Sequence, residues 1–538
     1  MEDSNKKTFI KGAVILGVAG ILVKVLGMFF RIPLTKIIGA YGMGYYQKAY
    51  PVYSFMLVIS SAGLPTAISK MISERRAIGQ YNEAYRVFRI AFRLMLTLGV
   101  VTALLMFFGA PKIAELQQLP EVVYALRSMA PALLLCPIMS CYRGFFQGQK
   151  NMAPTAVSQF FEQIFRVGLG LLLAWIFMSK GVPQAAAGAS FGASAGAFFG
   201  LAVMLFLFYL NKSNLKRDIR KSGTEPIQSN KSIIRDILAI AVPITIGAAV
   251  LPIFNTLDTF IVTDRLLASG FSDEVATTLF GELSGMALPI INVPQTITEA
   301  ICLSIVPVVS AAYKRDDMDF VRSNTNLGLR YAFNISLPCC AGMIILARPV
   351  MQLFYGSQGA ESIANSAQCL QIYAVGLLFI SSVHALNGVL QGIGRAGIPV
   401  RNLFIGSLVK VVVTYVLIGI PSINVRGAAI GTVVAYIIAA ALNLLAVKKY
   451  TAVRLDISHI IIRPLVSAVV MGVIVFAAYR LLSGHIGNTV STFISICAGV
   501  VVYAIMVLLT GSVSVSELES MPKMGRVARI LRKLPFVR

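Results

Sequence analysis

Hydrophobic residues make up 57% of this 538-residue chain and charged residues 13%, where a soluble globular chain carries about a quarter charged residues. Uncharged runs at 185–210, 427–447 and 489–510 each exceed the roughly 20 residues that cross a bilayer core as helix, so a soluble protein is excluded. The net charge of +24 is spread over short segments between apolar runs, which excludes nucleic acid and points to anionic membrane lipids as partners.

In chain order, a hydropathy window of about 19 residues predicts fourteen spans, centred near Val23, Leu57, Val101, Leu133, Gly168, Phe198, Ile253, Pro294, Leu337, Ala374, Val409, Ala435, Met471 and Val500. The first begins after Lys6, Lys7 and Lys11, is long, and contains Lys24, so it is read as a retained helix and not as a signal peptide. With the N-terminus cytoplasmic, segments 70–89, 212–235, 314–322 and 448–463 and the tail from Lys523 lie inside and hold most of the 47 Lys and Arg residues. That asymmetry places both ends in the cytoplasm.

The chain repeats itself. Arg143-Gly-Phe-Phe-Gln-Gly148 leads to Pro154 and a span carrying Arg166; Asn387-Gly-Val-Leu-Gln-Gly392 leads to Pro399 and a span carrying Lys410. Each is followed by Gly-Ala-x-x-Gly, at 188–192 and at 427–431. An even number of crossings separates the copies, so the repeats are parallel. The expected organisation is an all-α polytopic protein of two six-helix lobes plus two C-terminal helices. Residues 1–211 form the first lobe, 212–236 a cytoplasmic linker, 237–450 the second lobe, 451–510 the added pair and 511–538 a basic tail. In the tail, Val527, Ile530, Leu531 and Leu534 make an apolar face suited to an anionic leaflet.

Charges inside spans are costly and mark function. Gly17, Gly20, Lys24, Gly27 and Arg31 follow one helical stripe, which makes Lys24 and Arg31 candidate cavity cations, with Pro33 and Pro51 expected to bend or end their helices. Glu162 and Arg166 stand one turn apart, as an internal ion pair or as part of a charged site. Arg93, near a cytoplasmic span end, either snorkels or joins the cavity cations. Lys410 is central and has no acidic residue one turn away. The second half supplies carboxylates: Asp258 shares a face with Asn255, and Glu299 closes the stripe Asn292, Gln295, Glu299. These either pair with a cation or bind a coupling ion or proton. Gly188, Gly192, Gly196 and Gly200 form a packing ridge, and Tyr45, Tyr46, Tyr50 and Tyr53 are expected in the interfacial belt.

Several motifs carry no chemistry. Gly392-x-Gly-x-x-Gly397 lies between two spans without a βαβ unit, so it is not a dinucleotide site. Seven cysteines without a CxxC pair, with only three histidines, give neither a disulfide framework nor a metal site. No cofactor is expected. The longest outer loop, 264–282, leaves little room for a catalytic platform, and the chain is read as a non-enzyme.

The opening Val25-Leu-Gly27 with Gly39-Ala-x-Gly42, the Asn255-Thr-Leu-Asp258 stretch and the repeated Gln-Gly and Gly-Ala-x-x-Gly landmarks resemble bacterial polysaccharide-lipid transporters of the multidrug/oligosaccharidyl-lipid/polysaccharide (MOP) exporter superfamily. The likeness is to MurJ-type lipid II flippases of Gram-positive type and to relatives linked to sporulation. It implies a MATE-like fold, an undecaprenyl-diphosphate-linked peptidoglycan precursor as substrate, and alternating access driven by the membrane potential, with Na+ or H+ as possible couplings. The resemblance places Lys24 at the family's basic position in span one and maps a cation site of some members onto Asp258, Asn402 and Thr432. A monomer working beside the cell-wall synthesis machinery is expected. Rival readings are export of another lipid-linked glycan, a MATE-type multidrug/cation antiporter, and a non-transporting wall-synthesis scaffold.

Overall fold

The computed structural model describes the backbone of residues 2–220 and 228–513, and side chains from residue 26 onward apart from positions 28, 214 and 216 and position 303. Its helices in the first half are α1 (Glu2–Ser61), α2 (Leu64–Ala77), α3 (Tyr81–Leu116), α4 (Val122–Gly148), α5 (Ala153–Phe177), α6 (Val182–Leu210), α7 (Lys212–Arg220), α8 (Asn230–Ala268) and α9 (Asp273–Gly281). The second half holds α10 (Leu288–Lys314), α11 (Met318–Ile345), α12 (Ala347–Tyr355), α13 (Ala360–Gly392), α14 (Gly397–Ile418), α15 (Arg426–Thr451) and α16 (Arg463–Leu509), with π-helical turns at Glu282–Ala287 and Ser458–Ile462. No strand occurs among the described residues. An all-helical answer suits a bilayer, since a helix satisfies each backbone N–H and C=O within its own segment.

Twelve helical stretches among the described residues are long and apolar enough to cross a membrane. Two helices are interrupted by glycines with positive φ, α1 at Gly39 (φ 72°, ψ 176°) and α16 at Gly487 (φ 75°, ψ 166°). Each break lies between two predicted span centres, which reconciles the twelve stretches with fourteen crossings. The prolines do not make these breaks: Pro33 and Pro51 both sit inside helical runs of α1. Backbone reversal needs the left-handed region open to glycine, whereas a membrane helix absorbs a proline with a local adjustment.

Two compact units divide the chain, Met1–Gly281 and Glu282–Arg538. The division falls after α9 and not within 212–236, because α8 packs in the first unit: the Gly63 amide between α1 and α2 donates to Thr245 Oγ1 of α8 at 3.2 Å, and a Cβ on Gly63 would strike the Ala241 carbonyl. Between apolar helices in lipid the hydrophobic effect gives little, so close approach and polar contacts carry the packing. The predicted glycine ridge does this on α6. A Cβ on Gly188, Gly192 or Gly196 would come within 2.7, 2.5 and 2.6 Å of the α5 backbone. From the same helix, Ser194 Oγ enters the α4 ladder, accepting from the Ala132 amide (3.2 Å) and donating to the Ser128 carbonyl (2.7 Å).

The second unit repeats these contacts within itself. Gly144 and Gly148 of α4 lie against Pro65 and Ile72 of α2; Gly388 and Gly392 of α13 lie against Cys302 and Val309 of α10. Gly192 of α6 faces the carbonyl of Arg166, and Gly431 of α15 faces that of Lys410. The sequence repeat is thus a repeat of helix packing, each copy holding a cation-bearing helix against a glycine face.

Candidate functional site

On α5 the exposed apolar residues Val157, Phe160, Phe161, Ile164 and Leu172 fall on one side of the helix at about 100° per residue. Glu162 and Arg166 fall on the opposite side. The charges therefore face the protein interior, and Arg143 of α4 meets them there. Arg143 Nη2 donates to Glu162 Oε2 at 2.9 Å and Arg166 Nη2 to Glu162 Oε1 at 3.1 Å, so each carboxylate oxygen serves a different guanidinium. Arg143 Nε is held by Ser158 Oγ at 2.7 Å. The three side chains retain 12% (Arg143), 16% (Glu162) and 20% (Arg166) of their exposure, so the cluster is set in a wall that solvent partly reaches.

The other wall belongs to α1. Phe30 and Tyr46 meet edge to face with centroids 6.0 Å apart, Tyr46 stacks on Tyr50 at 5.7 Å, and Tyr50 adjoins Tyr53 at 6.0 Å. This aromatic ladder lies within the cluster's field: Arg31 and Arg166 both act electrostatically on Tyr46, and Arg166 and Glu162 on Tyr53. Tyr53 Oη also sits 3.9 Å from Cys136 Sγ of α4. Gly27 lets α1 approach Gln163 of α5, where a Cβ would be 3.3 Å from Nε2. The structure therefore brings together Arg31, Arg143, Glu162, Arg166 and three tyrosines from three helices. Three guanidiniums against one carboxylate leave this group positive.

In the second unit Lys410 is 7% exposed and lies on α14 opposite Phe404, Leu408, Val412 and Tyr415, which are all exposed. It too points inward. About two turns away on the same helix a chain of amides begins, with Asn402 Nδ2 donating to Asn443 Oδ1 at 2.8 Å and Asn443 Nδ2 to Asn387 Oδ1 at 2.9 Å. Thr432 Oγ1 returns a hydrogen bond to its own helix at Ala428 O, 3.0 Å. Asp258 is half-buried on α8 of the first unit; Glu299 is half-buried on α10 of the second and interacts electrostatically with Cys302.

Several expectations need correction. Arg93 is not a cavity cation: it is exposed on the outer face of α3, in line with Val100, Val101 and Leu104, as a snorkelling side chain would be. Tyr45, Tyr46 and Tyr53 are buried, at 1%, 6% and 1% exposure, and line the interior instead of an interfacial belt. Lys48 is wholly buried in α1; its Nζ donates to Gln117 O at 3.0 Å, while Gln117 Nε2 donates back to Lys48 O (3.1 Å) and to Thr259 Oγ1 of α8 (2.9 Å). Lys24 and the tail from 514 on lie outside the residues whose side chains are described. Arg143 was missed as a site residue, although it opens the first Gln-Gly landmark, because its bond to Glu162 joins separate helices.

Twelve helical stretches of membrane-crossing length among the described residues, with inward cations and repeated packing, define a polytopic membrane protein of MATE-like fold. The solved structure described as "Lipid II flippase MurJ, inward closed conformation" superposes with a TM-score of 0.67 at 16% identity, covering 92% of this chain and 98% of that one. The family described as "Polysaccharide biosynthesis protein" matches residues 9–313 and the MatE family matches 283–416. The chain belongs to the polysaccharide biosynthesis protein family. It is 28% identical over 523 residues to "Stage V sporulation protein B" of Bacillus subtilis (strain 168), covering 97% of this chain and 99% of that protein. It is also 27% identical over 518 residues to "Lipid II flippase MurJ" of the same organism, covering 94% and 93%. Flippases and transporters, not enzymes, are what it is similar to.

Proposed function

We propose that this protein is a flippase for lipid-linked glycans, and that its substrate is the undecaprenyl-diphosphate-linked peptidoglycan precursor lipid II, carried from the inner to the outer leaflet by alternating access. The observation that carries this reading is the basic, tyrosine-lined wall of the first unit, where Arg31, Arg143 and Arg166 outnumber Glu162. Guanidiniums replace the water of a diphosphate through charge-assisted, directional hydrogen bonds, and tyrosine faces suit the sugar rings behind it. The full-length likeness to MurJ supports the same substrate. A MATE-type exporter of organic cations is disfavoured, because a positive wall repels its cargo.

In this reading both termini are cytoplasmic, the membrane is the bacterial plasma membrane, the protein works as a monomer, and Lys24 and Lys410 contribute further positive charge along the route. The membrane potential drives the cycle, with Na+ held by Asp258, Asn402 or Thr432, or protonation of Asp258 or Glu299, as the candidate coupling. Export of a different lipid-linked glycan is the second reading, kept open because the equally extensive likeness to Stage V sporulation protein B does not single out lipid II. The test is complementation of a strain depleted of its lipid II flippase. Wild type restores growth; Arg31→Ala and Arg166→Ala do not, at equal membrane abundance. Full rescue by both variants argues for a scaffold, and no rescue by wild type argues for another glycan.

A further inference from the structure

The charges and donors around Glu162 do not balance, and the imbalance has a direction. One carboxylate is shared by two guanidiniums, so the trio carries one positive charge in excess. Donor capacity also exceeds acceptor capacity: Arg166 spends Nη2 on Glu162 while its Nε, buried, has no hydrogen-bond partner. A buried donor left open is unfavourable and is normally explained by a ligand or a function. The frame around it is rigid. Ser158 fixes Arg143 Nε, and α6 crowds the α5 backbone so closely that a Cβ on Gly196 would lie 2.6 Å from the Glu162 carbonyl and 2.9 Å from Arg166 Cβ. The α5 backbone beneath Glu162 and Arg166 is thus held in place, and Arg143 is anchored to the same helix through Ser158. What is free to leave is the carboxylate, on a side chain with rotatable bonds.

We infer that Glu162 is a built-in substitute for the substrate's phosphate: its carboxylate fills the anion position between Arg143 and Arg166, and an incoming diphosphate takes both guanidiniums by displacing it. This rests on the flippase reading and adds an exchange step to it. A diphosphate brings more negative charge and more acceptor oxygens than a carboxylate, so it satisfies the second arginine and the open Arg166 donor together. The returning carboxylate then competes for the same arginines and expels the head group, which keeps binding from becoming a trap. Arg143 and Arg166 on this account bind the substrate, and Glu162 positions them for release as much as for capture.

The experiment measures binding of farnesyl diphosphate to the purified full-length protein in nanodiscs, with farnesol and inorganic pyrophosphate as separate arms. Glu162→Gln removes the competing charge, and affinity for farnesyl diphosphate rises by about tenfold, the usual size of one charge-assisted contact, while complementation falls because release slows. Glu162→Asp, whose carboxylate is too short to reach both arginines, gives a smaller rise and carries the test if the glutamine variant does not fold. Folded variants with unchanged or weaker binding, against a wild type that binds, overturn the inference alone. Failure of wild type and variants alike to bind overturns the flippase reading as well. Equal binding of farnesol shows recognition of the tail and overturns the inference, whereas a parallel rise for inorganic pyrophosphate assigns the site to the diphosphate itself and supports it.

Discussion

Replacing Gly192 with alanine tests how the site is held, because the cost can be worked from geometry. The added methyl carbon would stand 2.5 Å from the Arg166 carbonyl oxygen and 2.9 Å from Gly170 Cα. Contacts below 3.0 Å essentially never occur, so α6 must retreat from α5 by about 0.5 Å at this point, and both obstacles are backbone. Overpacking of this kind costs about 1–3 kcal/mol, a change of roughly 5- to 150-fold in an equilibrium constant. The displaced strip of α5 carries Glu162 and Arg166. Gly168 is the control on the same helix: it is exposed, and nothing lies within 4 Å of its added Cβ, so alanine there stabilises by about 0.5–1 kcal/mol through lost chain freedom. Thermal unfolding of the purified protein in detergent should therefore move down for Gly192→Ala and level or up for Gly168→Ala, with complementation impaired only by the first. Equal midpoints for the two variants would refute the claim that the glycine ridge sets the helix spacing.

Other expectations follow from single contacts. Gln117→Leu strips the two bonds made by Nε2 and leaves buried acceptors on Lys48 and Thr259, at about 1–3 kcal/mol per unsatisfied group; an unchanged unfolding midpoint contradicts this. Lys48, wholly buried, should resist an amine-acylating reagent that modifies the exposed Lys36 and Lys231, as read by peptide mass spectrometry, and prompt labelling of Lys48 contradicts its placement. Asp456 accepts from the His459 amide at 3.1 Å and meets the His459 ring, and these contacts hold its carboxyl below the ordinary aspartate value. A depressed carboxylate stabilises the folded form above its unfolded pKa and loses that contribution as pH falls through the folded one. Backbone exchange around 452–462 should accordingly quicken only on acidification below the usual aspartate range, and in Asp456→Asn at all pH values; exchange that is indifferent to both contradicts the cap.

The layers of the fold were unevenly legible in the sequence. Span number was readable because a bilayer demands long apolar runs whatever the tertiary structure, and the glycine ridge because spacing by four residues is a property of one helix. Glu162–Arg166 was visible for the same reason. Arg143 was not, since its partner lies 19 positions away on another helix and no periodicity within one segment reports such a pairing. The tyrosines were misplaced because amphipathic rings suit either an interface or a polar interior, and only the packing of Phe30 and Tyr46 decides between them. Pro33 and Pro51 were credited with a break that Gly39 makes.

Native mass spectrometry of the protein extracted gently from its own membrane tests the central claim most directly. The account predicts a retained adduct with the mass of an undecaprenyl-diphosphate-linked glycan on wild type, absent from Arg31→Ala and Arg166→Ala and enriched in Glu162→Gln. Wild-type protein that carries only bulk phospholipid, or arginine variants that keep the adduct undiminished, would contradict a diphosphate-binding wall in the first unit.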